Sequence, residues 1–384
     1  MINNRSVIIG IVVGENSGDI LGVGLIRSLK KCFKKVQFFG IGGFRMRSEN
    51  MECWYDISEL SIMGITGVIF RLPKLLNMRR ELIKRFLKLK LNIFIGIDFP
   101  DFNISLEKRL KKYGITTIHY VSPSIWAWRS NRVFALKEAT HNVLLLFPFE
   151  KSIYARCGIP NQFIGHPLAD EIPLYPNKIA LRQKFDIPSN RCCLAILPGS
   201  RPKEIQILTK IFMHCAKLLQ DTIPNLEILI PLHDTDLINQ FVTLTSFISV
   251  KFRVLHTLTA WEVMAAADAA LLTSGTATLE CMLAKCPMVV AYRMNPVIFM
   301  LIRHLIKVKW ISLPNLLAGK PIVQEFIQKK CDPQRLASSL FYLLNYNQEQ
   351  RTTLQQEFYH LHRSIKLHAN DQATRLILKY INLL

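Results

Sequence analysis

Residues 92–103 read Asn-Ile-Phe-Ile-Gly-Ile-Asp-Phe-Pro-Asp-Phe-Asn. No polar side chain falls between Ile93 and Ile97, so an extended segment there has to be covered on both faces. That pattern marks a strand inside a parallel sheet flanked by helices. Asp98 ends the run. Pro100 cannot donate to a sheet ladder, and Ser105–Tyr113 beyond it has the spacing of an amphipathic helix. Asp101 is placed to cap that helix. A strand, a turn and a helix are half of a βαβ unit.

Outward from this stretch the alternation repeats. Val7–Val13, Val36–Phe39, Thr116–Tyr120 and Asn142–Leu146 are short apolar or β-branched runs, with helical patterns at Asp19–Phe33 and Lys74–Leu91. A Pro-containing stretch, Pro167 to Pro176, reads as a linker. A second series follows at Leu194–Leu197, Leu226–Pro231, Lys251–Val254, Ala269–Leu272 and Met288–Ala291. With 384 residues the chain exceeds what one core usually holds. The fold class is therefore α/β, with two doubly wound parallel sheets in tandem. The expected division is 1–167, 168–345 and a helical segment 346–384.

Composition narrows the function. No window reaches the roughly 18 uninterrupted apolar residues of a membrane span, and Val7–Val13 is too short for a signal peptide. A cytoplasmic protein is expected. Nine cysteines without C-x-x-C spacing read as reduced, mostly buried thiols. Forty-nine Lys and Arg against 28 Asp and Glu give a net charge of +21. Part of the excess lies in Arg71–Lys90, with eight basic residues and a single acid, Glu81. Leu75, Leu76, Met78, Leu82, Ile83, Phe86 and Leu87 alternate with them, as in a basic helix lying on an anionic membrane surface. Nucleic acid would attract the same charge, but no nucleic-acid module accompanies it.

Several βα turns carry residues suited to ligands. Gly14-Glu-Asn-Ser-Gly-Asp19 opens a helix and reads either as a ligand loop, through Glu15, Ser17, Gly18 and Asp19, or as a turn capped by Ser17 or Asp19. His119-Tyr-Val-Ser-Pro-Ser-Ile-Trp-Ala-Trp-Arg129 places Ser122 and Trp126 just beyond a strand, where wide aromatics suit a binding cleft. Pro198-Gly-Ser-Arg201 offers small residues and a guanidinium that can grip a diphosphate. Thr273-Ser274-Gly275-Thr276 offers free amides to an anion. Asp234-Thr-Asp236 has the form of a metal-chelating D-x-D, but a helix start explains it, and no Cys/His set has zinc spacing. Neither metal nor cofactor is expected. His119 and His166 read as general bases or as packed histidines. Met294–Ser312 contains Val-Ile-Phe-Met-Leu-Ile, either a buried helix or a surface that handles acyl chains.

Taken together, I-D-F-P-D-F-N at 97–103, the His119–Arg129 stretch, L-P-G-S-R at 197–201, T-S-G-T-A-T-L-E at 273–280 and S-L-P-N-L-L-A-G at 312–319 resemble the lipid-A-disaccharide synthase family, from about Gly14 to about Glu325. The resemblance implies two facing Rossmann-like domains, the GT-B arrangement, with the last helix crossing back to the first domain. It implies an inverting transfer from UDP-2,3-diacylglucosamine to 2,3-diacylglucosamine 1-phosphate at the inner membrane, with no oligomeric state specified. Asp98 matches the family's proposed general base. Arg201, Ser274, Gly275, Thr276, Glu280 (for the ribose) and Asn315 would hold UDP. Glu15, Ser17, Gly18, Asp19, Ser122 and Trp126 would line the acceptor side. Phe44 and Phe99 depart from the family pattern, where smaller or cyclic residues are common. The alternatives are another UDP-sugar enzyme of this fold, an epimerase or a peptidoglycan-type transferase, and a non-catalytic basic membrane-binding protein.

Overall fold

The computed structural model describes residues 3–60, 65–123, 132–257, 259–303 and 308–381. The chain forms two compact units, Met1–Asp170 with Ile365–Leu384, and Glu171–Ser364. Unit 1 is built on β1 (Asn3–Val13), β2 (Phe33–Gly42), β3 (Glu52–Asp56), β4 (Ile93–Ile97), β5 (Thr116–Tyr120), β6 (Asn142–Leu145) and β7 (Asn161–Phe163), in the order β3-β2-β1-β4-β5-β6-β7. Unit 2 holds β8 (Cys193–Leu197), β9 (Glu227–Leu232), β10 (Arg253–His256), β11 (Ala269–Thr273), β12 (Met288–Tyr292) and β13 (Gln324–Ile327), in the order β10-β9-β8-β11-β12-β13. Every pairing is parallel. The inner strands β4, β8 and β11 are buried along their whole length, as their unbroken apolar runs require.

In each sheet the strand order reverses once, between β1 and β4 and between β8 and β11. At such a reversal the helices leave on opposite faces and open a crevice at the carboxyl ends, where ligands of this architecture bind. The loops after β1, β4, β8 and β11 are Gly14–Glu15, Asp98–Phe99, Pro198–Arg201 and Ser274–Gly275, four of the stretches singled out above.

The basic helix, Ile65–Leu89, corrects one expectation. Leu75, Met78, Leu82, Ile83 and Phe86 are buried in the core of unit 1, so the apolar stripe faces the sheet and is not offered to a membrane. Phe86 packs on Phe94 of β4. An α/β sheet needs a helix stripe to cover it, and this stripe does that. What remains outside is the charge, with Lys74, Arg80, Lys84, Arg85 and Lys88 exposed. Among the described residues no helix is long and apolar enough to cross a membrane.

The chain returns to unit 1 at Ile365, and helix Ala369–Tyr380 packs there on helix Asn16–Lys30. Ser28 Oγ donates to Asp371 Oδ1 at 2.8 Å. The Asp170 carboxylate accepts from the amides of His368 and Ala369 at 2.9 and 2.6 Å.

Candidate functional site

Among the described residues, the carboxyl edge of unit 1 is strained at three that are not glycine. Asp98 and Phe99 have φ of 53° and 47°, and Val121, just past β5, has φ of 79°. Left-handed backbone costs roughly 1–3 kcal/mol per residue and is rarest for a β-branched side chain. Neighbouring groups hold the corner. The Asp98 amide donates to Tyr120 O at 2.8 Å. Asn103, fully buried, donates from Nδ2 to Asp98 O at 2.8 Å and to Val12 O at 3.1 Å. The Phe99 ring lies on Gly14, where an added Cβ would be 2.3 Å from Phe99 Cγ. Asp98 is half-buried, its position fixed by the main chain on both sides.

Asp101 does not cap the helix Pro100–Lys112. The left-handed turn moves the N-cap position back to Phe99, leaving Asp101 in the first turn, where its carboxylate pairs with Arg132. The helix after β1 is likewise capped at Glu15 and not by the side chain of Ser17 or Asp19. Glu15 and Ser17 are exposed beside the end of β4. Asp19 is a correction, because its carboxylate is 3% exposed and accepts from the amides of Gly43, Arg45 and Met46 at 2.8, 3.1 and 3.3 Å. It anchors the short helix Phe44–Ser48 from a buried position. Gly18 is buried against Val13. Ser122 is buried too, its hydroxyl 2.8 Å from Tyr154 OH. Trp126, with Trp128 and Arg129, lies outside the described residues.

Both histidines are buried. His119 is fully buried with Nδ1 2.7 Å from Glu107 Oε1, and burial raises the Glu107 carboxyl above its ordinary range. Gly96 makes room for that carboxylate, since a Cβ there would meet Glu107 Oε1 at 2.1 Å. His166 is buried, which pushes its imidazole down to about 4, and its Nδ1 accepts from Leu168 N.

In unit 2, Leu197 of β8 pairs with Leu272 of β11, so the two small-residue loops share one edge. Gly199 has φ of 138°, and an added Cβ would collide with Glu204. Arg201 is the N-cap residue of helix Pro202–Thr222, and its guanidinium is 69% exposed, 3.7 Å from Glu204. Gly275, φ 149°, is the N-cap residue of helix Thr276–Leu283, with no atom within 4 Å of where a Cβ would stand. That leaves room above the first amides of a helix, as an anion requires. Asp234 accepts from Leu237 N at 3.0 Å as the cap of helix Thr235–Thr245, and no group of metal ligands occurs among the described residues.

Asn315 is a second correction. It is fully buried, Oδ1 accepts from the Ile322 and Val323 amides at 2.8 and 2.9 Å, and Nδ2 donates to Val323 O and Glu325 Oε1 at 2.9 and 2.8 Å. All four of its side-chain hydrogen-bonding positions are spent inside the fold, which leaves only its main chain for UDP. The surrounding network was not legible as a site. Glu325 accepts from Ile311 N, Ser312 N, Ser312 Oγ and Asn315 Nδ2 at 2.9, 3.0, 2.6 and 2.8 Å. The Ser274 hydroxyl donates to Ile311 O at 2.7 Å, and Thr278 Oγ1 accepts from Leu313 N. Segment 311–325 is thereby tied to the Ser274–Thr276 loop.

Burial pushes the Glu280 carboxyl up to about 7. An acid raised in this way costs the fold almost nothing below its ordinary value near 4.5, progressively more between 4.5 and about 7, and a constant amount above that. Glu280→Gln is expected to be near neutral at pH 4 and stabilising at pH 8, by up to about 3 kcal/mol. Urea melts at both pH values check this, and an equal effect at each would refute the assigned burial cost.

A model of the family described as lipid-A-disaccharide synthetase matches residues 9–377. The lipid-A-disaccharide synthase of Blochmanniella pennsylvanica (strain BPEN) is 60% identical over 381 residues, covering 99% of this chain and 98% of its own. That of Sodalis glossinidius (strain morsitans) is 50% identical over 379 residues, covering 98% and 99%. Among solved structures, the glycotransferase of kitacinnamycin superposes with a TM-score of 0.65 at 14% identity, over 98% of this chain and 99% of its own. The UDP-GlcNAc 2-epimerase of Neisseria meningitidis gives 0.62 at 13%, over 98% and 100%. At such identities the structures speak to the fold alone, the GT-B pair of Rossmann-like units.

Proposed function

Because the chain belongs to the lipid-A-disaccharide synthetase family, we propose that residues at the carboxyl ends of its strands carry out one sugar transfer. The protein is a hexosyltransferase of lipid A disaccharide synthesis. The donor is UDP-2,3-diacylglucosamine and the acceptor 2,3-diacylglucosamine 1-phosphate. Asp98 takes the proton of the acceptor 6-hydroxyl as that oxygen attacks the anomeric carbon opposite UDP. The C–O bond to the diphosphate breaks, its electron pair leaves with UDP, and the configuration inverts to β. Arg201 and the amides of Gly275 and Thr276 meet the charge growing on the diphosphate, and Glu280 accepts from the ribose hydroxyls. Glu15 and Ser17 face the acceptor.

The observation carrying this reading is the backbone at Asp98–Phe99, left-handed at a sheet's strand-order reversal and pinned from three sides. Incubation with both lipids tests it, the expected products being UDP and a disaccharide lipid 1-phosphate. A monosaccharide isomer formed without acceptor would favour the epimerase reading instead.

Both substrates carry acyl chains, and helix Pro296–Ile302 leaves Val297, Ile298 and Met300 exposed by 62%, 48% and 56%. We assign the lipid contact to this face, with the outward cations of helix Ile65–Leu89 adding attraction to an anionic inner-membrane surface. Val297, Ile298 and Met300 all changed to serine should lower binding to anionic vesicles at physiological salt by at least about tenfold. Reversing Arg80, Lys84 and Lys88 to glutamate should lower it less, with an effect that fades at high salt. Unchanged vesicle binding in both variants would remove the assignment.

A further inference from the structure

Unit 2 has a cavity of about 650 Å³ away from the Ser274–Thr276 loop. Ala267 and Pro287 line it just before β11 and β12, whereas the Ser274–Thr276 loop lies at the other end of β11. Two connecting segments form its walls. Leu174–Lys178 follow the passage of the chain into unit 2, and Arg351–His360 lie on helix Gln348–Ile365, by which it leaves.

The lining has a consistent chemistry. Tyr175 and Tyr359 stack with centroids 5.2 Å apart at 27°, and the Arg363 guanidinium stands 6.0 Å from the Tyr359 ring. Lys178, Lys285, Arg351 and His360 border the space, and none of the sixteen lining residues is a carboxylate. Lys178 is paired with Asp268 at 2.6 Å behind the wall, while Arg351 donates to the main-chain oxygen of that same residue at 3.0 Å. Gln355, Gln356 and Thr352 add neutral hydrogen-bonding groups. Lys285 holds its place with φ of 62°, its ammonium 2.7 Å from Nδ1 of the buried His362. The volume is that of an ordinary small-molecule site. Cations suit a phosphate, and a stacked aromatic pair offers its face to a ring.

We propose that this cavity is a second ligand site, taking a small ring-bearing phosphate of the nucleotide class. The occupant would span the two segments through which the chain passes between its units, which is where an effector of the transfer would act.

Calorimetry on the full chain with AMP, under saturating UDP so that the β8–β11 edge is filled, tests the proposal. AMP is expected to bind, and Arg351→Gln and Tyr359→Ala should each weaken it by at least about tenfold. Gln356→Trp, an exposed position that fills the mouth of the cavity, should also abolish binding while leaving the melting temperature unchanged. Arg201→Ala should leave AMP binding intact. Absence of AMP binding both with and without UDP would overturn the proposal. So would binding that survives Gln356→Trp, or that is lost with Arg201→Ala.

Discussion

Asp98→Asn is expected to lower turnover by at least about a hundredfold, because a positioned base contributes roughly 10²–10⁴-fold. The substitution keeps shape and loses only the proton acceptor. Main-chain contacts fix the Asp98 corner, through Tyr120 O, Asn103 Nδ2 and the ring of Phe99 on Gly14. Stability and the affinity for UDP should therefore be unchanged, so that the loss falls on kcat. Tolerance of left-handed backbone by asparagine works in the same direction. A variant that kept most of its rate would take Asp98 out of the mechanism, since His119 is buried and Asp101 is committed to Arg132. Phe99→Ala offers a separate check. It removes the lid on Gly14 and should lower both stability and rate, whereas Asp98→Asn should lower rate alone.

Glu325→Ala carries the second large effect. Four hydrogen bonds end on this one carboxylate, and two of the donors, Ser312 Oγ and Asn315 Nδ2, belong to fully buried residues. Bonds to a charged acceptor contribute roughly 1.5–3 kcal/mol each, and orphaned buried donors add to the loss. A single substitution is not expected to exceed about 5 kcal/mol, so a loss of about 3–5 kcal/mol in the stability of unit 2 is the expected result. Glu325→Gln keeps one acceptor oxygen and should fall between. Ile311 also receives the Ser274 hydroxyl, so loosening segment 311–325 should disturb the Ser274–Thr276 loop. UDP affinity should drop by about tenfold or more in the alanine variant. Lost stability with unchanged UDP binding would confine Glu325 to scaffolding.

Legibility in the sequence followed local pattern. Strands buried on both faces, such as Ile93–Ile97 and Ala269–Thr273, announced themselves as unbroken apolar runs. β3, β7 and β13 did not, because they are short edge strands with half-exposed side chains and no apolar run of their own. Site residues divided in the same way. Arg201 and Gly275 are set by turns adjacent to their strands, and local sequence is enough to place them. Asn315 and Asp19 looked equally polar and equally close to motifs, yet their partners stand up to 10 and 27 residues away. Glu325 gave no signal beyond marking where the resemblance ended.

By itself the sequence determined two parallel α/β sheets, the loops at their strand-order reversals and the family, since each rests on neighbours within a few residues. Tertiary structure alone decided the destination of each side chain. It turned the apolar stripe of Ile65–Leu89 inward to cover a sheet, consumed Asp19 and Asn315 in buried hydrogen bonds, and closed His119 and Glu107 into the core. It also bent Asp98, Phe99 and Val121 into left-handed backbone, a strain that only long-range contacts can hold in place.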